Sequence, residues 1–205
     1  MKTHHINTYQ FSELSPEAQK VAISVFQNDE CYLDYPWYTF ALEDLIADTL
    51  VPEGWTTDVK DIHYSGFASQ GDGASFDGDL DILQYINHHD LRDKYPLIRQ
   101  YQEKYSIEGT IEKNFYASNY CHERTCSFTI NWDTYLPPPP PLPTYTALQA
   151  EIEALEKDIE AHRLDICQEL YRTLEREYDH LLSDESIKEH IKSNNYEFLI
   201  NGKQY

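Results

Sequence analysis

The residues best suited to chemistry lie in one turn-rich string, Tyr64-Ser-Gly-Phe-Ala-Ser-Gln-Gly-Asp-Gly-Ala-Ser-Phe76, where Gly71 and Gly73 bracket Asp72 and gather Ser69, Gln70 and Ser75 around it. A glycine turn with inward backbone amides can hold an anion. The string lacks the Gly-Lys-Ser/Thr ending of a phosphate loop, and neither Ser69 nor Ser75 stands in a Gly-x-Ser-x-Gly elbow. The plain alternative is a tight hairpin whose Asp and Ser side chains satisfy turn amides. Downstream, Asp77, Asp79 and Asp81 alternate like the first acids of a calcium loop, but Ile82 and His88 occupy the positions that need glycine and glutamate. An EF-hand is excluded, and on a strand the three acids would share one solvated face. His63 and the His122-Glu123 pair would make an imidazole oriented by a carboxylate, as general-base chemistry requires, if two hairpins bring them together. Cys121 and Cys126 are four residues apart with no second pair to complete a zinc site, and Cys31 and Cys167 stand alone. Neither a metal site nor a cofactor is expected, and no catalytic signature is present.

Charge is the second strong signal. Between Val21 and Leu91 there are fourteen Asp and Glu residues and one base, Lys60, and the whole chain carries a formal charge of -20. With only 16 Lys and Arg, the charge argues against direct binding to nucleic acid and favours a basic partner surface. The acids expected to meet it are Glu43, Asp44, Asp48, Asp72, Asp77, Asp79 and Asp81. No apolar run reaches the ~20 residues that cross a bilayer, the start is polar, and the thiols suit a reducing compartment, so a cytoplasmic protein is expected.

The elements that must position these residues follow from periodicity. Ile6 to Phe11 alternates as an edge strand, and Ser15-Pro16 starts a helix with Ala18, Val21 and Val25 as its inner stripe. A second helix runs from Pro36 to about Leu50 on Trp37, Phe40, Ala41 and Leu45, and Pro52-Glu-Gly54 stops it. Strands are predicted at Trp55 to Tyr64 and Ala74 to Asp79, a helical stretch from Leu80 to Tyr105 broken near Pro96, and strands at Ile107 to Tyr116 and Ser127 to Trp132. Residues 1–136 thus form an α+β body, an antiparallel sheet with packed helices. Residues 137–143 are a polyproline strut spanning on the order of 20 Å at ~3.1 Å per residue. From 144 to 182 Leu148, Ile152, Leu155, Ile159, His162 and Ile166 draw a coiled-coil-like seam, continued by Leu170, Leu174 and Tyr178. That arm either folds back on its own chain or pairs two chains through residues 148–178. His162 is its odd polar member. Residues 183–205 form a short helix and a terminal hairpin returning to the body sheet.

The string Tyr64 to Phe76, the opening Tyr9-Gln-Phe-Ser-Glu-Leu-Ser-Pro-Glu-Ala18 and the late Leu174-Glu-Arg-Glu-Tyr-Asp-His-Leu-Leu-Ser-Asp-Glu185, with Tyr196-Glu-Phe and Asn201-Gly-Lys203, resemble a family of small bacteriophage and prophage accessory proteins, some labelled antitoxin-like. The resemblance implies a phage-borne protein of the host cytoplasm and carries over no reaction. Joined to the charge, it gives the first functional expectation, an anti-CRISPR-like or DNA-mimic inhibitor of a host defence or nucleic-acid-handling protein. The alternatives are a small-ligand binder or hydrolase with its site at Ser69, Gln70, Gly71, Asp72, Gly73, Ser75, His122 and Glu123, and a structural coiled-coil dimer.

Overall fold

A computed structural model describes residues 6–29, 32, 36–113, 121–132 and 140–205. In chain order the elements are β1 (Tyr9–Gln10), α1 (Pro16–Gln27), α2 (Thr39–Leu45), a π-helical turn (Ile46–Leu50), α3 (Val51–Glu53), β2 (Trp55–Thr56), β3 (Ile62–Ser65), β4 (Gly73–Phe76), β5 (Gly78–Leu80), α4 (Ile82–His88), α5 (Pro96–Tyr105), β6 (Glu108–Lys113), β7 (Cys126–Asn131), α6 (Leu142–Leu181), α7 (Asp184–Ser193) and β8 (Glu197–Phe198). The class is mixed, with helices around antiparallel sheets. The chain divides into two compact units, Thr39–Glu175 and Met1–Tyr38 with Arg176–Tyr205, so the division does not fall at the proline run.

In the larger unit β2, β5, β6 and β7 form one antiparallel sheet in that order, and β3 pairs with β4 as a separate hairpin. The strand expected from Trp55 to Tyr64 is therefore two strands in two sheets, parted by a 3-10 turn at Val59–Asp61. Its expected return strand is likewise split between Phe76 and Gly78. Trp55 packs edge-on against Phe76, Phe128 and Tyr85, all buried, because large rings fill a sheet-and-helix core most completely. The second helix buries Leu42, Ile46 and Leu50 and leaves Phe40 77% exposed, so its inner stripe is one residue pattern away from the expected one. The π turn within it shifts the register, since five-residue spacing rotates every later side chain.

Helix α6 starts at Leu142 with Pro143 in its first turn, where a missing N–H costs nothing, so the expected strut is already helical at its last two residues. Pro137 to Pro139 lie outside the described residues. The seam residues Leu148, Ile152, Leu155, Ile159, Ile166, Leu170 and Leu174 are all buried within this one chain. The stripe is thus covered by the rest of its own chain. Glu151 on α6 accepts the Leu97 and Ile98 N–H groups at 2.9 and 3.2 Å, capping α5 from another element where its own N-cap, Tyr95, makes no side-chain capping bond.

In the smaller unit Ser15 caps α1, its Oγ accepting the Ala18 N–H at 3.3 Å, with Pro16 first in the helix as expected. The inner stripe differs from the prediction. Ala18, Ala22, Ile23 and Phe26 face inward with Ile187, Ile191 and Phe198, while Val21 and Val25 are 43% and 40% exposed. Turning the helix this way buries the large Phe26 and Ile23 rather than two valines. β8 pairs with β1, so the C-terminal segment joins the N-terminal strand in a two-stranded sheet and does not return to the four-stranded one.

Candidate functional site

The turn that dominated the sequence is built mainly to hold itself. Asp72 Oδ2 accepts the Ala68 and Ser69 N–H groups at 3.0 and 2.7 Å, and Gly71 sits at φ +101°, a conformation glycine adopts without strain. Gly73 meets the loop that carries His122. A Cβ at Gly73 would lie 2.7 Å from the His122 Cβ and 2.9 Å from its Cα. Ser75 is fully buried, its hydroxyl 3.2 Å from Thr125 Oγ1, and Thr125 in turn donates to the His122 carbonyl at 2.8 Å. The fold therefore brings Gly73, Ser75 and His122 together but seals Ser75 away from any substrate. Ser69 and Gln70 are exposed on the turn. His122 Nδ1 accepts the Arg124 N–H at 3.1 Å and lies 3.8 Å from Glu123 Oε2. His63 takes Asp77 as its carboxylate instead, at 2.8 Å.

The loop is anchored by a residue that sequence reasoning passed over. Arg163 has a fully buried side chain, donates twice to Glu160 at 2.7 Å and once to the Glu123 carbonyl at 2.8 Å. A forked guanidinium can satisfy a carboxylate and a carbonyl at once, which lets α6 grip the 121–125 loop.

The acids divide by employment. Asp81 caps α4 by accepting the Gln84 N–H at 2.9 Å, Asp77 holds His63 and accepts the Cys126 thiol at 3.4 Å, and Asp72 holds the turn. Only Asp79 lies within β5, so Asp77, Asp79 and Asp81 do not form the single solvated strand face expected of them. Glu43, Asp44, Asp48 and Asp79 are exposed.

A second cluster, absent from the sequence-based candidates, is assembled from three distant segments. Glu53 ends α3, where Gly54 at φ +101° stops the helix. His88 and His89 end α4, and His162 projects from the α6 seam. Gln84, one turn before His88, donates to the Val51 and Pro52 carbonyls at 2.8 and 3.1 Å, and the Asp81 N–H donates to the Gly54 carbonyl at 2.9 Å, fastening α4 to the helix end that carries Glu53. Glu53 is 6% exposed, and its Oε2 accepts His162 Nε2 at 2.9 Å and Trp55 Nε1 at 3.2 Å. His89 Nε2 lies 3.8 Å from the same oxygen. Tyr85 covers His89, ring centroids 4.3 Å apart.

Electrostatics within the cluster are consistent with one ion pair. Burial pushes the Glu53 carboxyl up, but the His162 hydrogen bond, the charges of His162 and His89 and the Trp55 N–H outweigh it and hold the carboxyl below its usual range. The hydrogen bond to Glu53 raises His162 against its burial, whereas burial lowers His89, aided by the neighbouring imidazoles. The arrangement can thus carry a Glu53 carboxylate, a His162 imidazolium and a neutral His89. The one advance signal was His162, a polar residue at a seam position that apolar side chains otherwise fill.

Among the described residues no helix is long and apolar enough to cross a membrane. No curated protein and no solved structure matches the chain. Residues 37–184, which include Glu53, His88, His89, His162 and the whole turn and His122 loop, match a family described as a domain of unknown function, DUF8835, and the chain belongs to that family.

Proposed function

We propose that the chain is an acidic binding protein that occupies the basic groove of a nucleic-acid-handling protein, as a phage-encoded, anti-CRISPR-like DNA mimic acting in the host cytoplasm. The observation that carries this reading is that Glu43, Asp44, Asp48 and Asp79 are exposed in a chain of net charge -20. Asp44 and Asp48 are four residues apart in a continuous helical stretch, ~6 Å along its axis, close to the ~6.8 Å rise of two phosphate steps on one DNA strand. Carboxylates presented on a packed helix need no reordering on binding, and a field of one sign both steers and selects a basic partner. The hydrolase reading of the turn loses Ser75 to burial and has its Asp72 carboxylate engaged by the turn amides.

The test begins with capture of a partner from bacterial lysate and continues with its affinity and its nucleic-acid binding. Affinity is expected to fall by about tenfold or more as salt rises through ~0.15 M, where the Debye length is about 8 Å. Replacing Glu43 by Gln and Asp44, Asp48 and Asp79 by Asn should weaken it further while the melting temperature holds. The captured protein should also lose its nucleic acid when this chain is bound. Affinity flat with salt and indifferent to those four changes would overturn the reading.

A further inference from the structure

The Glu53 cluster contains one polar atom in an unusual state. His89 Nε2 is buried and has no hydrogen-bond partner among the described residues. A buried polar atom left unpaired costs on the order of 1–3 kcal/mol in general, so its presence calls for an explanation. The neighbouring carboxylate oxygen does not supply one. Glu53 Oε2 already receives the N–H groups of His162 and Trp55, and 3.8 Å is too long for a hydrogen bond from His89. What remains is an unpartnered imidazole nitrogen 3.8 Å from the Glu53 carboxylate, with the exposed His88 beside it, ring centroids 5.0 Å apart. One donor atom from each of Glu53, His88 and His89 lies within 4.8 Å of the other two.

We propose that Glu53, His88 and His89 bind a divalent transition-metal ion of the zinc class, with His162 and Trp55 fixing the orientation of the Glu53 carboxylate. Two imidazoles and one carboxylate suit zinc, cobalt or nickel, whereas calcium and magnesium take oxygen ligands almost exclusively. Two ligands sharing a tetrahedral zinc at ~2.0–2.1 Å sit roughly 3.3–3.5 Å apart, so the Glu53–His89 gap closes by a few tenths of an ångström and His88 swings inward by up to about 1.5 Å. His88 is free to do so because it is solvent-exposed, and its side also gives the ion a path in. Glu53 and His89 move little because Gln84 and the Gly54 carbonyl fasten their two segments. Three protein ligands leave a fourth position for water, the pattern of an open centre. Hydrogen bonds from His162 and Trp55 to the ligating carboxylate are the kind of support that typically tunes such a site by 10–100-fold in affinity. The inference does not rest on the acidic-surface reading, whose exposed carboxylates are other residues.

The experiment strips the full chain with a chelator and titrates it with Co2+ and Zn2+, reading visible cobalt absorption and calorimetric stoichiometry. One ion per chain is expected, Zn2+ displacing Co2+, with His88→Ala weakening binding by about tenfold or more and the His88→Ala, His89→Ala pair abolishing it. His88→Ala alters an exposed side chain, so its metal-free melting temperature should match the parent and separate ligand loss from misfolding. Variants His4→Ala with His5→Ala, and His180→Ala with His190→Ala, should bind as the parent does. No cobalt spectrum in the parent, binding that survives the His88/His89 pair, or binding lost only in one of the other two pairs would each overturn the proposal.

Discussion

At the scale of single residues, burial decides between a functional and a structural part for each candidate. Asp72, Ser75 and His122 were legible as a group from sequence, and the fold does set Gly73 against His122 and link Ser75 to the His122 carbonyl through Thr125. Sequence could not show that the Ser75 hydroxyl is sealed against Thr125, because that depends on the pairing of β4 with a loop some fifty residues on. Stability should therefore respond more to shape than to polarity here. Gly73→Ala forces a methyl against the His122 backbone and is expected to cost roughly 1–3 kcal/mol, the range for overpacking, toward its upper end because backbone cannot easily retreat. Ser75→Ala removes one bond of the several Thr125 makes and should cost about 1 kcal/mol. Urea unfolding of the two variants ranks them, and a near-neutral Gly73→Ala would mean that the 121–125 loop yields.

At the scale of elements, periodicity located most helices and strands but not the partners they take. Helix α6 was visible through Leu148 to Ile166, yet nothing in a seam says whether its partner is another chain or the body of its own. What settles it is polar detail outside the seam: Glu151 capping α5, Glu156 Oε1 accepting the Ile130 N–H at 3.2 Å, and Asp158 accepting from both Lys94 and the Tyr95 hydroxyl. Burial pushes the Asp158 carboxyl up, but the hydrogen bonds from Lys94 and Tyr95 outweigh it and hold the carboxyl below its ordinary range. A carboxyl depressed in the folded state contributes stability above its unfolded value of about 3.9, and that contribution is lost as pH falls through the folded value. Asp158→Asn should accordingly melt below the parent near neutral pH, and the gap should close on the acid side of about pH 4. Melts of both proteins across that window check it. A gap that stays constant with pH would mean the carboxylate charge contributes nothing to the docking of α6, and solvent screening of this half-exposed pair keeps the expected gap small.

At the scale of the whole molecule, the sequence reported charge faithfully and assembly poorly. Glu53, His88, His89 and His162 come from segments far apart in the chain, so no spacing motif could have gathered them, and the N- and C-terminal segments meet in a unit of their own. Net charge needs no fold to be read. With 36 acidic against 16 basic residues the native state repels itself, and compaction brings those charges closer than they stand in the unfolded chain. The ion pairs at Lys60, Arg124 and Arg172 are longer than 3.5 Å and largely exposed, so their screening removes little stability. Added salt should therefore stabilise the fold. Between ~0.01 M and ~0.15 M the Debye length shrinks from about 30 to about 8 Å, enough to damp repulsion across much of the surface. The melting temperature is expected to rise over that interval while affinity for a basic partner falls, two responses of opposite sign from one cause. A melting temperature that drops with salt would show that attractive pairs outweigh the self-repulsion, and would remove the premise that this surface is an uncompensated field of one sign.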